Sequence, residues 1–114
     1  VKAQAAALKD PHFPQIAWVN ALTYQMIYEQ PVCYEFKNIK APTLLIIGQE
    51  DRTVVGKARV PKAIVNQYGQ YPALGKRTQQ QIAGSRLVEL PGVGHIPHVQ
   101  TLDAYTKAVL DFLK

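Results

Sequence analysis

The run Leu44-Leu45-Ile46-Ile47 constrains this chain more than any other stretch. Large aliphatic side chains follow one another with no polar residue between them. A strand with one wet face alternates apolar and polar residues, whereas a strand covered on both faces does not. The run therefore belongs in a parallel sheet flanked by helices. Pro42 precedes it, and Gly48 hands the chain over to Gln49-Glu50-Asp51. A second stretch has the same shape: Leu87-Val88-Glu89-Leu90, then Pro91-Gly92-Val93-Gly94, then His95. Each strand delivers one acidic or titratable residue just past its C-terminal end.

The segments between and around the strands read as helices and loops. Residues 1–9 are alanine-rich and predict a helix or its end. Residues 15–30 place Ile16, Val19, Leu22, Met26 and Ile27 at helical spacing. Pro14 suits the first turn of that helix, and Pro31 ends it. Trp18, Tyr24 and Tyr28, with Tyr34 beyond, read as a core group, or as the lining of an apolar pocket under a helical cap. Residues 32–40 form a connector in which Cys33 reads as a small buried residue. Strands are expected at 43–48 and 86–90. Between them, residues 58–68 carry a rough helical spacing broken by Pro61, residues 69–74 read as a loop, and 75–83 as a short helix closed by Gly84. Residues 101–113 predict an amphipathic helix with Thr101 as N-cap and Asp103 in its first turn. Strand, helical excursion, strand, helix is a parallel βαβα unit, with a right-handed crossover expected. Both loops of interest then leave the same sheet edge, where open α/β sheets place ligands.

Composition narrows the function. At 114 residues the chain holds one small domain, and its net charge of +5 comes from scattered lysines and arginines. No basic stripe interleaved with aromatics points to nucleic acid. No apolar run approaches a membrane span. A single cysteine excludes an internal disulfide and a cysteine-based zinc site. Val1 is not a start methionine, so the lack of a targeting segment leaves the compartment open between cytoplasm and periplasm.

His95 follows Gly94 at a loop tip, free to face a substrate. A histidine serves as both base and acid near neutral pH if its other ring nitrogen is held by an acceptor. A carboxylate on the neighbouring strand end does this and stabilises the imidazolium. Asp51 is the candidate, with adjacent Glu50 as the fallback. His98 lies three residues beyond His95, but no third ligand is evident and Pro97 disfavours a regular helix, so a metal pair is not expected. His98 is read as lining the site entrance or starting the last helix, and His12 as a surface residue.

Acid then histidine on successive strand ends resembles the α/β-hydrolase family. Residues 42–51 look like that family's penultimate strand and G-x-x-D acid loop, residues 87–95 like its last strand and G-H loop, and 101–113 like its closing helix. The resemblance implies an α/β fold, with residues 42–114 the C-terminal βαβα part of a hydrolase domain. Residues 1–41 would be a helical segment, cap-derived or a linker, and connector. It implies Asp51 as triad acid, His95 as triad base, and no cofactor. The interval from Asp51 to His95 is longer than is usual in the family, and residues 60–76 would add a short helix or loop over the site.

The elbow motif G-x-S-x-G is absent. The only serine, Ser85, leads into a strand instead of leaving one, and Cys33 has no elbow around it. The expectation is therefore a C-terminal hydrolase fragment that supplies acid and histidine but no nucleophile and is inactive alone. Its partners would be a small-molecule substrate and either a missing N-terminal portion or a second copy. A serine nucleophile would suit esters, thioesters or C–C bonds of diketones, and an aspartate would suit epoxides or haloalkanes. The alternative is a non-catalytic interaction module that associates through its exposed sheet face.

Overall fold

The computed structural model describes Ala6 and residues 8–114. The helix expected over residues 1–9 lies for the most part outside the described residues. The chain divides into two units, Val1–Glu35 and Phe36–Lys114. The division falls within the connector, ahead of the expected 41/42 boundary.

In the first unit, α1 spans Phe13–Glu29 with a proline in its first turn. The missing N–H of Pro14 costs nothing there, because the first helical N–H groups have no partner within the helix. The helix stops before Pro31, its last turn closed by the Gln30 N–H on the Met26 carbonyl at 2.8 Å. None of its residues is buried. Trp18, Tyr24 and Tyr28 are exposed, and so is Tyr34 in the 3-10 turn Val32–Tyr34 that follows. The core role expected of these aromatics is not met within this unit. Among its described residues no second long element stands opposite α1 to cover them. Cys33, expected to be buried, is exposed for the same reason: it sits in that turn and in no packed layer.

The second unit is built on a parallel pair, β1 (Leu44–Gly48) and β2 (Arg86–Leu90), in the register Leu44 to Arg86 through Gly48 to Leu90. Thr43, expected inside the strand, flanks it, yet its carbonyl already accepts the Arg86 N–H at 2.9 Å. A crossover helix, α2 (Tyr71–Gln81), packs on both strands. Its inner positions Tyr71, Gly75, Thr78 and, just past its end, Ile82 are buried or half-buried at helical spacing. After β2 come a one-turn helix, α3 (Pro97–Gln100), and the terminal helix α4 (Leu102–Leu113). Both pack against β1. Ile82, Leu90 and Val93 form the buried apolar centre, while residues 44–47 of β1 are half-buried.

Several local expectations give way to backbone chemistry. Tyr71-Pro72 opens α2 instead of forming a loop, because a proline in the first helical turn is pre-organised for the helix. Pro97 does the same for α3, a separate turn of helix that holds His98 ahead of the last helix. Residues 58–68 do not make a helix. Around Pro61 they form only the 3-10 turns Lys57–Arg59 and Val65–Gln67. The connector likewise holds the turns Val32–Tyr34 and Phe36–Asn38. Thr101 stands at the N-cap position of α4 but makes no side-chain cap hydrogen bond. No described helix is long and apolar enough to cross a membrane.

Candidate active site

Parallel pairing puts the C-terminal ends of β1 and β2 side by side, so the loops that follow leave one edge together. The backbone ladder continues past the strands. The Gln49 N–H donates to the Leu90 carbonyl at 2.9 Å, and the Glu50 N–H to the Val93 carbonyl at 2.8 Å. Gly48 makes this approach possible. A Cβ there would lie 2.2 Å from the Gly94 carbonyl oxygen and 2.3 Å from that of Val93. These are backbone atoms that cannot swing aside, so only a glycine admits the histidine loop this close to the acid loop.

Asp51 is buried, with 5% of its surface exposed, and both carboxylate oxygens are engaged. Oδ1 accepts the Thr53 N–H at 2.9 Å, an Asx turn of the kind aspartate forms two residues on. Oδ2 lies 2.8 Å from His95 Nδ1. It is Asp51 that reaches the imidazole, while Glu50, its neighbour, is exposed. The loop is held from outside by Arg52, whose Nη1 donates to the Asp51 carbonyl at 2.7 Å and to the Gln49 carbonyl at 3.0 Å. Burial pushes the Asp51 carboxyl up, but hydrogen bonds from His95 and Thr53 and the charge of His95 outweigh it, and the group sits below its ordinary value.

An ionised carboxylate only accepts hydrogen bonds, so the Nδ1 that faces it must donate. That fixes the neutral His95 tautomer, with the proton on Nδ1 and the lone pair on Nε2. The His95 side chain is 54% exposed. Among the described residues, Nε2 has no hydrogen-bond partner, which leaves it open to an incoming proton donor. The loop behind it is tied to α3, where Gln100 Oε1 accepts the Gly94 N–H at 2.8 Å. The ring of Tyr71, at the start of α2, meets the imidazole edge-on with centroids 5.9 Å apart.

The other histidines lie apart from this pair. His98, in α3, is exposed and stacks edge-on against Tyr105. His12 is exposed at the start of α1, its backbone N–H bonded to Asp10. Among the described residues no three His, Cys, Asp or Glu side chains cluster as metal ligands would. Ser85 lies just before β2, at the opposite end of the sheet, with its Oγ donating to the Gln79 carbonyl at 3.2 Å.

The sequence pairs Asp51 with His95 but does not reveal the groups that hold them. Thr53 carried a signal, since an aspartate after a strand-ending glycine is a common Asx-turn former. Arg52, Gln100 and Tyr71 carried none, because their contacts depend on how the loops fold back.

A solved structure of a probable hydrolytic enzyme from Pseudomonas aeruginosa PAO1 is similar to this chain, with 39% sequence identity and a TM-score of 0.87. The match covers 93% of this chain and 34% of that one, so this chain spans about a third of its neighbour's length. No protein-family model matches the sequence, and no curated protein matches it. The chain thus has the fold of one segment of that probable hydrolytic enzyme.

Proposed function

We propose that this chain is the C-terminal part of an α/β-hydrolase, in which Asp51 is the acid and His95 the base of a catalytic triad. The observation that carries this reading is the 2.8 Å contact between Asp51 Oδ2 and His95 Nδ1 at the shared strand edge, with Nε2 left open. The fold shared with a segment of a hydrolytic enzyme supports it. Residues 1–41 are the helical segment that precedes this part, from a cap or a linker.

The nucleophile comes from chain outside these 114 residues, since no elbow motif is present and Ser85 faces the wrong end of the sheet. If that nucleophile is a serine, His95 Nε2 removes its proton as it attacks an acyl carbon and later returns the proton to the leaving group. Water then resolves the acyl-enzyme with the same base. If it is an aspartate, attack on an epoxide or haloalkane carbon needs no base, and His95 instead deprotonates the water that cleaves the ester intermediate. In both cases Asp51 holds the ring in one tautomer and stabilises the imidazolium. The substrate is a small organic molecule, ester-like or of the C–C, epoxide or haloalkane classes.

The test restores the missing part. This chain is grafted in place of the matching segment of the P. aeruginosa neighbour and assayed on activated esters, epoxides and haloalkanes. The graft is expected to turn over one of these classes, and His95→Ala to lower kcat/KM by at least about 10^3-fold. The ungrafted 114-residue chain is expected to be inactive. Turnover by the isolated chain that His95→Ala abolishes, or a graft indifferent to His95→Ala, would refute the reading.

A further inference from the structure

We infer that Tyr71 is a positioning residue for His95, a role that rests on the proposed function. His95 is otherwise weakly held. Its loop is punctuated by Gly92 and Gly94, its side chain is 54% exposed, and one hydrogen bond anchors one ring atom. A single bond at Nδ1 leaves the ring free to swing about that contact, and a swinging ring does not keep Nε2 on a fixed line to a nucleophile. Tyr71 supplies the second constraint. Its ring meets the imidazole at 64° with centroids 5.9 Å apart, the edge-to-face arrangement that aromatic pairs favour. Two contacts at different points of the ring define its plane.

A second observation shows that Tyr71 is itself held by the acid loop. The corner before it turns at Gly69, whose φ is +65°. A Cβ at Gly69 would lie 2.6 Å from Val54 Cγ2, 2.8 Å from the Thr53 carbonyl oxygen and 3.0 Å from the Arg52 carbonyl carbon. The corner is seated directly on the segment whose Thr53 N–H binds the Asp51 carboxylate. The Tyr71 N–H then donates back to the Gly69 carbonyl at 2.9 Å, and α2 begins. One corner of the excursion therefore rests on the acid's support at Gly69 and on the base at Tyr71. The excursion sets the geometry of the pair in addition to connecting the strands.

The test reads the imidazole by long-range proton–nitrogen NMR of the 114-residue chain near neutral pH. In the wild type, His95 is expected to show one neutral tautomer, protonated on Nδ1, with nuclear Overhauser contacts between its ring protons and those of Tyr71. Tyr71→Phe keeps the ring and is expected to keep both the single tautomer and the wild-type order of the imidazole ring. Tyr71→Ala is expected to keep the Nδ1–H tautomer, which Asp51 sets, but to lower the order parameters of the His95 ring C–H vectors, read by carbon-13 relaxation, because the ring then swings about the Asp51 contact. Unchanged His95 ring order in Tyr71→Ala, or no Overhauser contact in the wild type, would overturn the positioning role while leaving the Asp51–His95 reading in place. An unchanged tautomer in Asp51→Asn would instead remove the reading on which it rests. The wild-type contact decides the matter even if Tyr71→Ala does not fold.

Discussion

The two loops at the sheet edge are held in opposite ways. The acid loop is fixed: Asp51 is buried, both its carboxylate oxygens are bonded, and Arg52 clamps the Gln49 and Asp51 carbonyls. The histidine loop is open: His95 is more than half exposed and its Nε2 faces no partner among the described residues. A base must meet substrate and alternate between protonation states. The acid need only keep one charge in one place. The contrast teaches that the fixed loop holds the orientation which the mobile role of the other requires.

The largest expected effect breaks the contrast at its chemical centre. Asp51→Asn keeps the shape of the acid loop but lets the side chain donate to Nδ1, which favours the wrong His95 tautomer. In the grafted enzyme kcat is expected to fall by about 10^4-fold, measured by steady-state turnover. A fall of less than tenfold would mean that the fixed acid is not what prepares the base.

Next in size is the contact that brings the loops together. Gly48→Ala places a methyl group against the Val93 and Gly94 carbonyl oxygens, and backbone must move to admit it. The expected loss is about 3 kcal/mol of stability, at the upper end of ordinary overpacking, read from the urea midpoint of the 114-residue chain. An unchanged midpoint would mean that the two loops are not in register as described.

The smallest effect is on pH dependence. The Asp51 carboxyl titrates below its ordinary value of 3.8 in the folded chain, so there the native state binds fewer protons than the unfolded one. Its contribution is fully present above 3.8 and is lost as the pH falls through the lower native value. The stability gap between wild type and Asp51→Asn is therefore expected to narrow as the pH falls below about 4. A gap that widens below about pH 4 would reverse the sign and contradict the account.

Much of this site was legible in the sequence because it depends on local, strongly patterned signals. The uninterrupted run at Leu44 to Ile47 predicted a parallel strand, and residues 86–90 form the second strand where expected. Two strands that each end in a glycine-bounded loop predicted that Asp51 and His95 would meet. The helices were legible where apolar spacing was long, as in 15–30 and 101–113. The start at Pro14 was read, but the helix starts at Pro72 and Pro97 were not. Pro72 and Pro97 each open a helix, and a proline that begins a helix looks, in sequence, like one that ends a loop. The exposed state of Trp18, Tyr28 and Cys33 was not legible either. Apolar spacing shows which face seeks cover but not whether the described unit provides any. Tyr71 was invisible for a related reason, since its approach to His95 is made by a turn at Gly69 and not by any periodic pattern.

The central claim is that a charged Asp51 carboxylate holds the His95 Nδ1 proton and leaves Nε2 free. The most direct measurement is the far-downfield proton spectrum of the 114-residue chain at neutral pH. The account predicts a resolved imidazole N–H resonance, assignable to His95 Nδ1, that vanishes in both Asp51→Asn and His95→Gln. A spectrum without that proton, or one in which it survives in Asp51→Asn, would contradict it.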